Sequence, residues 1–73
     1  MEAKDFLEKN GFEYCSESNN FQNDNCIVCI GESGYTIILY EVEASVMYSQ
    51  DLNIYWLIGV LTYYGLIDKN YKQ

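Results

Sequence analysis

Leu52-Asn53-Ile54-Tyr55-Trp56-Leu57-Ile58-Gly59-Val60-Leu61-Thr62-Tyr63-Tyr64-Gly65-Leu66 is the longest apolar run of the chain, and any fold must bury it. Ser49 and Asp51 stand just before it. Either can offer a side-chain oxygen to the unpaired N–H groups of a first helical turn. Gly65 can take the left-handed conformation that ends many helices, with Lys69 and Lys72 beyond. These signals predict a helix over residues 50–64. At ~100° per residue, Ile54, Leu57, Ile58 and Leu61 share one face. Leu52, Trp56, Val60 and Tyr63 fall roughly opposite, with Tyr55 at their edge. A helix apolar nearly all round needs cover nearly all round. It is too short to span a membrane, which takes ~20 apolar residues.

Working outward, 73 residues make one domain over positions 1–73, near the lower size at which a chain folds alone. An apolar fraction of 49% argues against disorder despite a net charge of −7. There is no Pro, His or Arg, and the four lysines lie near the two ends. Between them the charges are all acidic. No basic cluster is present to contact phosphate, so nucleic acid and anionic membrane surfaces are disfavoured as partners. A basic protein partner suits the charge, although the same acidity serves solubility. The N-terminus, Met1-Glu2-Ala3-Lys4-Asp5, leads into no apolar segment, so no signal peptide is expected. Three cysteines without an export signal predict free thiols and a cytoplasmic location.

In chain order, Glu2 to Asn10 reads as a short helix with Phe6 and Leu7 inward, closed by Gly11. Phe12 to Ser16 alternates as a strand, with Phe12 and Tyr14 inward. Ser16 to Asn25 is polar and reads mainly as loop, with Asn19-Asn20 as its turn pair. Cys26-Ile27-Val28-Cys29-Ile30 and Tyr35-Thr36-Ile37-Ile38-Leu39-Tyr40 read as a hairpin around Gly31-Glu32-Ser33-Gly34. Tyr35, Ile37 and Leu39 share one of its faces, and Thr36, Ile38 and Tyr40 the other. Glu41 to Ser45 continues the strand or turns, and Val46-Met47-Tyr48 is short strand material. The expected class is α+β: a short N-terminal helix, a three- to four-stranded antiparallel sheet, and a long apolar C-terminal helix packed on the sheet.

Cys26-x-x-Cys29 is the one pattern resembling a metal or redox motif. Residues three apart in a strand point to opposite faces, so the two sulfurs diverge. Ile27-Val28 is poor material for the turn a zinc knuckle needs, and a thioredoxin-type pair belongs at a helix start. Small buried hydrophobes are the better reading, so no metal and no cofactor is expected. No Ser–His–Asp set or phosphate-binding glycine loop is present. Nothing places two carboxylates in an apolar pocket. The chain therefore does not read as an enzyme.

Eight tyrosines, three phenylalanines and one tryptophan are many for this length. Their rings suit a core, and the polar tips of Tyr and Trp suit an interface. The interface candidates are Trp56, Val60, Tyr63 and Tyr55 on the helix and Tyr35, Tyr40 and Tyr48 on the sheet. Glu41 and Glu43, which point the same way in an extended segment, join them as an acidic edge. The N-terminal helix brings chiefly Phe6 and Leu7 as a second cover. A strip around Trp56, Val60 and Tyr63 is thus expected to meet another protein or a second copy, as in a homodimer.

The ending Met47-Tyr48-Ser49-Gln50-Asp51-Leu52-Asn53-Ile54-Tyr55-Trp56-Leu57-Ile58-Gly59, continued by Gly65-Leu66-Ile67-Asp68-Lys69-Asn70-Tyr71, resembles the C-terminus of small proteins of gut Bacteroidetes bacteria and their phages. The resemblance covers the last third of the chain and carries no assigned activity. The Asn-, Ile- and Tyr-rich composition is similar to that of AT-rich phage genes. Small size and acidity are similar to those of phage inhibitors of host defence, including anti-CRISPR proteins. The function expected on that resemblance is a non-catalytic, acidic protein-binding module directed at a host protein. The alternatives are a homodimeric accessory protein and a cysteine-based metal or redox domain.

Overall fold

A computed structural model describes residues 2–40 and 46–67. The first helix, α1, is Ala3–Lys9. Five strands follow: β1 (Glu13–Cys15), β2 (Asn20–Gln22), β3 (Cys26–Ile30), β4 (Tyr35–Leu39) and β5 (Val46–Tyr48). The second helix, α2, is Ile54–Tyr63. The strands form one antiparallel sheet in the order β1-β2-β3-β4-β5, so each pairs with its sequence neighbour. The α+β class is as expected. The sheet has five strands rather than three or four, and the C-terminal helix has only 10 residues.

Both helices end by the same device. Gly11 and Gly65 have φ of 89° and 67°, which glycine adopts at no steric cost. Past Gly11, the Phe12 N–H donates to the Leu7 carbonyl at 3.0 Å. Past Gly65, the Leu66 N–H donates to the Leu61 carbonyl at 2.8 Å. In each case the two bonded residues are buried apolar side chains. This is the Schellman closure with its hydrophobic contact. It turns the chain back onto the core at both sites.

The start of α2 differs from the expected one. Neither Ser49 nor Asp51 caps it. The Ser49 hydroxyl accepts from the Tyr35 N–H at 2.8 Å and donates to the Asp51 carbonyl at 2.7 Å. That ties the approach to β4. The Asp51 carboxylate accepts from the Asn53 N–H at 3.2 Å, and the Asn53 side chain then accepts from the Tyr55 N–H at 2.9 Å. Asn53 is the cap, so the helix begins at Ile54, four residues later than the expected residue 50. Leu52 is left outside it, exposed.

The core lies on one face of the sheet. Phe21, Val28 and Ile37 are cross-strand partners in succession and all buried, and Met47 continues the row. Tyr35, Ile37 and Leu39 of β4 are buried as the alternation requires. Phe6 and Leu7 of α1, Leu57 and Leu61 of α2, and Leu66 and Ile67 complete the same cluster. The other face carries the row Glu13, Gln22, Ile27, Ile38 and Val46. None of these five is buried.

Candidate functional site

The α2 wheel sorts its side chains differently from the two opposed faces expected. Leu57 and Leu61 are buried, with Ile54 and Ile58 half-buried on one flank and Trp56 and Val60 on the other. Trp56 and Val60 each stand one step of ~100° from a buried leucine, so they belong to the margin of the buried arc. The solvent face is Tyr55, Gly59, Thr62 and Tyr63. Tyr55 is 80% exposed and Tyr63 82%.

Trp56 has an intramolecular partner. Its ring stacks on Tyr35 of β4, with centroids 6.4 Å apart and planes 7° from parallel. Tyr35 is only 4% exposed and is a core residue. Burial, and then the charge of Asp51, raise its phenol pKa. Of the sheet candidates, Tyr40 is half in solvent and Tyr48 is 70% exposed. Glu41 and Glu43 lie outside the described residues.

Tyr64 and Val46, which the sequence did not single out, are also exposed, and so is Tyr14, expected inward beside Phe12, which alone of the two is buried. Tyr63 and Tyr64 meet edge to face, centroids 4.9 Å apart. Tyr64 sits beside the left-handed Gly65, at the point where helical periodicity stops applying. Its proximity to Gly65 was the available signal. The Tyr14 hydroxyl donates to Asn19 Oδ1 at 2.7 Å, and Asn19 holds the turn with φ of 55°.

The cysteines separate as strand geometry requires. Cys26 is buried on the core face, and burial pushes its thiol pKa up to about 12. Cys29, three residues on, is half-buried and pairs across from Thr36 on the other face. Cys15 is half-buried, with its sulfur 3.7 Å from the Ser18 hydroxyl. Hydrogen bonding from the Ser18 backbone, then from its hydroxyl, lowers its pKa. Among the described residues, no three His, Cys, Asp or Glu side chains gather closely enough to hold a metal ion.

Two open clefts of about 380 Å³ flank Lys4 of α1. One is lined by Ile30, Tyr35, Leu52 and Ile54, the other by Glu8, Tyr14, Phe21 and Ile30. Their walls are mainly apolar. No described helix is long and apolar enough to cross a membrane. What the surface offers is tyrosine rings. Comparison with known proteins finds no matching family model, curated sequence or solved structure.

Proposed function

We propose that this chain is a non-catalytic protein-binding module whose contact centres on the tyrosines of α2. One observation carries the reading: Tyr55 and Tyr63 hold large rings almost wholly in solvent on one face of a short, well-capped helix. Such a ring gives up apolar area to water when free and recovers it in a contact. Its hydroxyl stays serviceable at the rim, and only two side-chain torsions must be ordered. The net charge of −7 favours encounter with a basic surface. On the resemblance of the C-terminal third, the partner is a host protein and the module an inhibitor carried by a phage. The stacking of Trp56 on Tyr35 within one chain supports a partner other than a second copy.

The test compares the wild type with a Tyr55→Ser/Tyr63→Ser variant, each immobilised and exposed to a host lysate. Truncating two central aromatic contacts commonly costs about 2 kcal/mol each, so retention of the partner should fall more than tenfold. Both sites are exposed, so the variant keeps its fold. Equal retention by the two proteins contradicts the reading.

A further inference from the structure

The sheet has two edges, and they are guarded differently. At one edge, β1 carries Glu13 and packs beside α1. At the other, β5 runs Val46-Met47-Tyr48 and continues into Ser49-Gln50 without a charge. Sheet edges in natural proteins are usually protected by charge, proline, a bulge or a cover. Among the described residues, β5 has none of these.

The register says which groups the edge presents. The Ser49 N–H donates to the Tyr35 carbonyl at 3.0 Å. Thr36, Ile37 and Ile38 stand opposite Tyr48, Met47 and Val46. In an antiparallel ladder alternate residues face the partner strand. Ser49 and Met47 therefore turn their main-chain groups toward β4, and Val46 and Tyr48 turn theirs away. The same two residues place exposed side chains on the uncovered face, at 37% and 70%. They continue an apolar surface made by Ile27, Ile38 and Cys29.

We infer that β5 is a docking edge for an extended, basic segment of another protein, which adds as a sixth strand. Its main chain would pair with Val46 and Tyr48, and alternate apolar side chains would lie beside those of Val46 and Tyr48. Charge selects this occupant. The Tyr48 end of the edge carries Asp51, two residues past Ser49, and Glu32 in the hairpin loop, whose Gly34 abuts Ser49. Both acids are exposed, while the described lysines, Lys4 and Lys9, sit on α1. A second copy would bring another −7 to the same place, and a three-residue strand offers little area against the ~1,600 Å² of a standard interface. This surface is distinct from the α2 tyrosines and stands or falls without them.

The probe is a blocked pentapeptide alternating lysine and valine, titrated into ¹⁵N-labelled protein. Two relatives accompany it, one with glutamate for lysine and one N-methylated along its pairing edge. The lysine peptide should shift the Val46 and Tyr48 amides and slow their hydrogen exchange, more weakly as salt rises. The N-methylated peptide keeps charge and side chains but loses its donors, and should bind at least tenfold more weakly. Tyr48→Lys, at an exposed site, should cause a similar loss with no change in melting. Equal binding by the glutamate or N-methylated peptide overturns the inference, as do shifts confined to α2 or no shifts at all. Concentration-dependent protection of these amides without peptide also overturns it, because the edge then pairs with a second copy.

Discussion

At the residue scale, two glycines show how differently one residue type can be constrained. Gly34 ends the β3–β4 loop, and its carbonyl accepts from the Gly31 N–H at 2.8 Å. A Cβ there would overlap the Ser49 carbonyl oxygen. That carbonyl is backbone and held by the β4–β5 register, so it cannot swing aside as a side-chain tip would. Gly34→Ala should push β5 away from β4 and cost about 1–3 kcal/mol, as overpacking does. Gly59 is the opposite case. It lies on the exposed face of α2 with nothing within 4 Å of a Cβ. Gly59→Ala should stabilise the protein by about 0.5–1 kcal/mol, the helical advantage of alanine. Urea unfolding of the two variants beside the wild type checks both signs. A neutral Gly34→Ala would mean that β5 is not held in this register.

At the element scale, what was legible from sequence depended on how many faces an element buries. The β3–β4 hairpin was readable because β-branched residues crowd both its strands, joined in β4 by Tyr35. The helix ends were readable because Gly11 follows a short helical pattern closed by Asn10 and Gly65 follows the apolar run. Strand β2 was not. It is Asn20-Phe21-Gln22, of which Phe21 alone enters the apolar core. Gln22 turns to the other face, where its amide donates to Asn20 Oδ1 at 2.9 Å. A strand with one inward apolar residue shows no alternation against its polar surroundings. The α2 boundary was missed because hydrophobicity ran on through Leu52, while hydrogen bonds to β4 had already engaged Ser49. Of the candidate site, alternation put Tyr35 and Tyr40 on opposite faces of the sheet but did not say which face is buried, and Tyr35, expected at an interface, is core. The ring contact that draws Trp56 inward depends on how α2 lies across β4, which no local pattern encodes. Leu57 and Leu61 are fully buried and carry the attachment of α2. Either Leu→Ala change should cost about 2–5 kcal/mol, measured by thermal or urea unfolding. Wild-type melting of both variants would show that another face of α2 is attached.

At the scale of the whole molecule, two short helices close one face of a five-stranded meander and leave the other uncovered among the described residues. A chain of 73 residues has material for about one such layer of cover. Among the described residues, thirteen buried apolar residues form one cluster, and Trp56 packs on it from the margin. Tyr55 and Tyr63 lie outside that cluster and are exposed, which is the ground for the proposed binding role. Trp56 finds its cover on Tyr35 of the same chain. It is the only tryptophan, so its emission reports this site alone. The decisive measurement is tryptophan emission, with acrylamide quenching, over a dilution series spanning the range in which a dimer would separate. A ring stacked on its own Tyr35 should give constant emission and constant partial protection from quencher at every concentration. A shift to the red with rising quencher access on dilution would contradict it, because Trp56 would then be covered by a second copy and the exposed strip would run through Trp56 and Val60.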